Sequence, residues 1–340
     1  MSWKGAARSF AATAKRIERD QQRRARVATQ QFKQLQKEQA ISSAAQAVAG
    51  YNEYLGVIKS IHQDCSDPVD WPAMQHERAP VAPASSTEHE RAAQVARDTY
   101  APGFFDRLFK RGPGKLQQLQ AAVATGRQRD EQETAAQQAA HTRQLTEWQD
   151  RQDLTRQVLA KESDVYPQVL AVFAPFEGIA QLGSRLEFTF TADHIEVDVH
   201  LNTAEVIPDF VVTQLASGKL SRKTLPISKF NDLCQDYVCG CLLRVAREVY
   251  AHLPVRQVVV HALAKQLDSS TGVVESQVIV SAAMPCDTLA SLNFLALDPS
   301  DSMRNFTHTM KFTKTGGFQA VDRVGLAAPL APRSSRRSNA

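Results

Sequence analysis

Residues 228–252 read SKFNDLCQDYVCGCLLRVAREVYAH, and this stretch decides the fold class. Phe230, Leu233, Cys234, Tyr237, Val238, Cys241, Leu242, Val245 and Val249 recur at three- and four-residue steps, the spacing of one helix face. Ser228, two residues after Pro226, is the expected N-cap. On both sides of this helix the period changes to two. Upstream, 185–191 and 195–201 alternate around a turn at Ala192-Asp193-His194. Downstream, 255–263 reads as a buried strand and 273–284 as its hairpin partner. Asp298-Pro299 reads as an N-cap followed by proline at the first helical position, opening a short helix to Phe306. A last strand is expected at 310–313, before Gly316-Gly317. The order hairpin, helix, hairpin, helix, strand predicts an α+β domain: one mixed or antiparallel sheet with a long helix packed on it.

Before residue 160 the composition is different. Ala, Gln, Arg and Glu dominate, and strand-like alternation is almost absent. Within a chain of 340 residues, long enough for roughly two domains, five segments are expected. Residues 1–62 form a basic and then amphipathic helix, with an apolar face at Ile41, Ala45, Val48, Tyr51, Leu55 and Ile58. Residues 63–113 form a proline-punctuated connector with a short helix around 87–99, where Thr87-Glu88-His89-Glu90 has capping-box spacing. Residues 114–162 form a second long helix, polar on almost every face between Val123 and Leu145. The α+β domain spans 163–325, and 326–340 is a basic tail too rich in Pro, Ser and Arg to order itself. The two long helices have matched lengths of roughly 70–80 Å. That match predicts an antiparallel, coiled-coil-like helical hairpin, an arm in front of the globular part.

Residues 1–40 carry ten basic and three acidic side chains, a net +7 in a chain whose formal net charge is +4. Such a basic end suits phosphates, an anionic lipid surface or an acidic partner. Trp3, Ala7, Phe10, Ala14 and Ile17 lie at helical spacing among Lys and Arg, so the first twenty residues also have the pattern of a targeting or interfacial helix. The five cysteines form no evenly spaced framework, which points to a reducing compartment, and a cytoplasmic location is expected. No apolar run reaches the roughly 18–20 residues of a membrane span.

Glu196, Asp198 and His200 alternate on one expected strand and so share a face, an arrangement that could hold a divalent ion for hydrolysis. Strict alternation explains the same residues as the wet face of a hairpin. Lys219, Arg222 and Lys223, with Ser228 at the helix start, make a basic, hydroxyl-rich loop that could hold a phosphate. Leu220 follows the lysine where a P-loop needs Ser or Thr, so this is not that motif. Cys234, Cys239 and Cys241 lie inside the helix and read as small apolar residues, with Gly240 allowing a close neighbour. His62, Asp64, Cys65, Asp67 and Asp70 read as helix-end and turn residues before a metal set. No motif fixes a reaction, a cofactor or a metal. The leading expectation is a non-enzymatic interaction or scaffold protein that self-associates or recruits a protein partner. The alternative is a nucleic-acid-associated, metal-dependent hydrolase with residues 1–40 on phosphates and Glu196 and Asp198 at the chemistry.

Overall fold

A computed structural model describes residues 44–102, 112–181, 184–216, 219–267 and 272–325. The basic segment 1–40 and the tail 326–340 lie outside the described residues. Those described fall into two compact units, one of 72–155 and one of 44–71 with 156–325. Among them no helix is long and apolar enough to cross a membrane.

The larger unit is α+β. Its longer helices, among the described residues, are α1 (Ala44–Lys59), α4 (Tyr166–Phe173) and α5 (Ile227–His252). The main sheet is mixed and runs β1-β2-β5-β6-β7-β8. These strands are β1 (Arg185–Phe190), β2 (His194–Leu201), β5 (Gln257–Leu267), β6 (Val274–Pro285), β7 (Thr307–Thr313) and β8 (Gly317–Gln319). A separate ribbon pairs β3 (Phe210–Gln214) with β4 (Leu220–Thr224). Every pairing is antiparallel except β2 with β5. A parallel pair needs a long crossover, and the ribbon and α5 supply it.

The period-two pattern sorts the sheet's faces. Ile195, Val197 and Val199 on β2 are in register with Val258, Val260 and Ala262 on β5, and all six are buried. Helix α5 packs on β5 and β6, with Tyr237, Val238, Cys241, Leu242, Val245 and Val249 fully buried. Removing Leu242 beyond Cβ is expected to cost about 2–5 kcal/mol, the transfer and cavity penalty of a closed core site. Denaturant unfolding of Leu242→Ala checks it; a loss under roughly 1 kcal/mol contradicts this packing.

Gly240 meets the expectation of a close neighbour. A Cβ there would lie 2.8 Å from Ile61 Cγ2, in the segment that follows α1. The N-cap of α5 is Pro226, so Ser228 lies inside the first turn instead of capping it. Asp298 does cap as expected, its side chain accepting from the Asp301 N–H.

The described part of the first helical stretch belongs to this unit. Tyr51 donates its hydroxyl to the Phe210 carbonyl at 2.8 Å, and Tyr54 donates to that of Val206 at 2.6 Å. Trp71 donates Nε1–H to the His252 carbonyl at 2.9 Å. Of the apolar face read along 41–58, Tyr51 and Ile58 are buried in the core, with Ala47 and Tyr54 beside them; Val48 and Leu55 are half-buried and Ala45 is exposed.

The smaller unit is built on α3 (Gly112–Leu159), whose last turn passes into the other unit. Its partner is the part of the connector described within this unit, 72–102, which includes α2 (Glu88–Asp98). The stripe that looks polar in the sequence receives backbone. A Cβ on Gly126 would lie 2.7 Å from the His89 carbonyl oxygen. Asp130 accepts from the N–H groups of His89 (3.1 Å) and Glu90 (2.8 Å) and from the Ser86 hydroxyl (3.1 Å). Thr134 Oγ1 accepts from Ser86 N–H, His141 Nε2 contacts the Pro80 carbonyl, and Trp148 Nε1–H donates to that of Glu77. The capping box expected at Thr87 does not form. Thr87 makes no side-chain cap, and Asp130 on α3 supplies the acceptor for the first turn of α2 instead.

Candidate functional site

The alternation of β2 turns Glu196, Asp198 and His200 to the face away from its buried valines. Parallel pairing places His261 of β5 opposite Asp198, and antiparallel pairing places Ser281 of β6 opposite His261. A row of polar residues therefore crosses three strands. His261 Nε2 lies 2.7 Å from Glu196 Oε1, and its Nδ1 lies 2.8 Å from Ser281 Oγ. Both His261 and Ser281 are fully buried.

Burial lowers the His261 pKa and the nearby Arg323 cation adds to this, against the Glu196 hydrogen bond that favours the charged ring. The ring is neutral at pH 7 on that balance. A carboxylate has no proton to give, so Nε2 carries the hydrogen and donates to Glu196. Nδ1 must then accept, and Ser281 donates its hydroxyl to it. Ser281 Oγ in turn accepts the Val324 N–H at 2.8 Å. This completes a serine–histidine–glutamate relay, the hydrogen-bond order that polarises a hydroxyl. Here the hydroxyl oxygen is closed off from solvent and already holds a backbone amide.

Arg323 covers the acidic end. Its guanidinium donates to both Asp198 oxygens, at 2.7 and 2.6 Å, and to Glu196 Oε1 at 3.1 Å. Hydrogen bonding to Asp198 is the chief cause of its raised pKa. Ligand atoms of Glu196, Asp198 and His261 lie within 4.8 Å of one another, close enough for one divalent ion to bridge. In this structure the Arg323 guanidinium is the cation that bridges the two carboxylates.

The structure thus brings Glu196 and Asp198 together and exchanges His200 for His261. His200 Nε2 is 3.6 Å from Glu187 Oε1, and its Nδ1 is 3.5 Å from Ser276 Oγ. The sequence held a signal for His261: a lone imidazole in the apolar run 258–264 must find partners once buried. Nothing local identified those partners, because β2 and β5 are separated by α5.

The proposed anion site is not a loop against a helix end. Lys219 precedes β4, while Arg222 and Lys223 lie on it as neighbours, so their side chains take opposite faces of the ribbon. The Arg222 guanidinium stacks over the Phe210 ring at 3.5 Å. Ser228, in the first turn of α5, supplies no cap there.

The His62–Asp70 crowd is held by α5. Arg247 Nη1 donates to the carbonyls of His62 (2.6 Å) and Gln63 (3.0 Å), and Arg244 pairs with Asp64 at 3.2 Å. Glu248, almost fully buried, accepts from Ser66 N–H at 3.2 Å. Burial raises its pKa, and the Arg244 cation opposes that. His62 is 2% exposed, and burial is the chief cause of its lowered pKa. The helix cysteines are buried as expected, and desolvation pushes the thiols of Cys234 and Cys241 up to about 12.

A second trio, His89, Asp130 and Glu133, also offers ligand atoms within 4.8 Å. Its Asp130 carboxylate is committed to the three donors at the start of α2. No protein-family model matches this chain, and neither does any curated protein or solved structure.

Proposed function

We propose that the protein is a non-enzymatic interaction protein that self-associates or recruits a helical partner through the outer face of α3. One observation carries this reading. Ala121, Thr125, Gln128, Gln132, Ala135, Ala139, Thr142 and Thr146 recur at steps of four and three, and all are exposed. That is a 3.5-residue period, the period of a coiled-coil seam. It runs along the side opposite the stripe that holds the connector, and it has no charge. The three threonines return their hydroxyls to their own helix, to the carbonyls of Ala121, Gln138 and Thr142. They therefore present methyl groups outward. Six of the eight are the small residues Ala and Thr, which let a second helix approach closely.

The hydrolase alternative has less behind it. Its two carboxylates are engaged by Arg323, and its proposed phosphate contacts in 1–40 lie outside the described residues.

Light scattering coupled to size exclusion tests the proposal on the full chain, with and without duplex DNA. A fragment starting at 163 is unsuitable, because Tyr51, Tyr54 and Ile58 belong to the core of the larger unit. The unchanged chain is expected to associate and to ignore DNA. The double variant A135E/A139E is expected to be monomeric with unchanged helicity, since Glu is nearly as good a helix former as Ala. A monomer that shifts only with DNA would overturn the proposal in favour of phosphate contact.

A further inference from the structure

After β8 the chain crosses the sheet face that carries Glu196, Asp198, His261 and Ser281. This strap, 320–325, is bound as an extended peptide is bound. The Val321 N–H donates to the Val278 carbonyl at 2.9 Å. The Asp322 carbonyl accepts from Thr309 Oγ1 at 2.6 Å, and the Val324 N–H donates to Ser281 Oγ at 2.8 Å. Between these main-chain contacts, Arg323 reaches the Asp198 and Glu196 carboxylates. Val259 and Ala283, opposite each other in register on the same face, supply a buried apolar floor.

We infer that this face is a binding groove for an extended peptide bearing an arginine followed by a small apolar residue, and that the strap fills it in cis as a built-in competitor. The inference stands apart from the reading of α3. It rests on how the parts divide the work. Main-chain bonds to Val278, Thr309 and Ser281 would hold any extended segment, as in strand addition, while the two carboxylates select the side chain. Asp198 takes both ends of the guanidinium fork, which an ammonium cannot match. His261 and Ser281 act as positioning residues: the neutral ring holds the Glu196 oxygen and orients the hydroxyl that receives the amide after the arginine. With Arg323 in place the site still holds two carboxylates against one cation, so it favours an arginine over a neutral side chain. The strap itself is lightly held. Asp322, Arg323 and Gly325 are exposed, and the bonds named above are few, which makes it a candidate for local opening well below the cost of unfolding the sheet.

The test uses the full chain carrying R323A as receptor and a fluorescent synthetic peptide of residues 317–325 as probe. Saturable binding is expected, on the order of tenfold or more tighter than to the unchanged chain, where the tethered strap competes at high effective concentration. Binding should weaken when the peptide arginine becomes lysine. It should vanish with alanine there, or when the receptor also carries E196Q and D198N. A folded R323A chain that ignores the peptide, or binds it whatever residue replaces the arginine, overturns the inference. If R323A does not fold, hydrogen exchange on the unchanged chain decides it. About millimolar peptide, comparable to the tether's effective concentration, should strip protection from the Val321 and Val324 amides. Unchanged protection there overturns the groove.

Discussion

Acidification from neutral pH is expected to destabilise the larger unit, starting near the ordinary imidazole value of about 6.5. Three buried histidines carry this result. His62, His252 and His261 are 2%, 3% and 0% exposed. Burial is the main cause of a lowered pKa in each. At His62 the Arg247 cation adds to burial while Asp298 opposes it, and at His252 a backbone contact to Glu248 opposes it. Because the folded-state values are depressed, the unfolded chain takes up protons first. The stabilisation is therefore complete above about pH 6.5 and is lost as pH falls toward the folded-state values. Each histidine contributes about 1.4 kcal/mol per pH unit while only the unfolded form is protonated. All three act in the same direction, so stability falls as pH is lowered below about 6.5. Urea unfolding followed by circular dichroism at a series of pH values measures the slope. H261Q, which keeps a neutral hydrogen-bonding side chain, should reduce it. A flat stability between neutrality and mild acid would mean that these rings are solvated.

Alanine at Gly126 is expected to release the connector from α3. The new methyl would meet the His89 carbonyl oxygen at 2.7 Å, its carbon at 2.8 Å and the Glu90 nitrogen at 3.0 Å. These are backbone atoms, and a backbone held by Asp130 cannot turn aside as a side-chain tip would. Helix propensity works in the opposite direction, since Gly to Ala favours an isolated helix by about 1 kcal/mol. The two effects can be separated by segment. Hydrogen exchange should show the amides of 86–98 losing their protection while those of α3 gain or hold theirs. Helix α2 has 11 residues and, once undocked, is too short to persist in water. Unchanged protection at 86–98 would contradict the close approach at Gly126.

Acid should reach this unit later than the other. Burial opposes ionisation of Asp130, but the N–H groups of Glu90 and His89, with the Ser86 hydroxyl, outweigh it and lower the pKa. A depressed carboxylate holds its contribution above the ordinary aspartate value of about 3.9 and gives it up as pH falls through its folded-state value. Exchange at 86–98 should therefore stay slow through the range in which the larger unit loses stability.

Several elements were legible because one local pattern explains them. The step of three and four along 230–249 indicated α5, alternation indicated β1 and β2, and a buried apolar run with its hairpin partner indicated β5 and β6. Asp298-Pro299 gave its own cap. The strand β4 was not legible, because LSRKT is mostly exposed and is a strand only through pairing with β3. Helix α4 was missed too: its eight residues span barely two turns, too few for a period to stand out. The stripe on α3 read as featureless for a different reason. Its partners are the His89 carbonyl and the N–H groups of His89 and Glu90, and backbone leaves no apolar mark on the helix that receives it.

By itself, then, the sequence determined the α+β class, the long central helix, the polar face with Glu196 and Asp198, and the burial of the helix cysteines. Each follows from the period and chemistry of residues close together in the chain. Tertiary structure alone decided that His261 and not His200 joins the carboxylates, that Asp130 caps α2, and that Arg323 closes the acidic pair. Those choices join residues 40 to more than 120 positions apart. They depend on strand register and on which backbone groups burial leaves without water, and no local pattern encodes either.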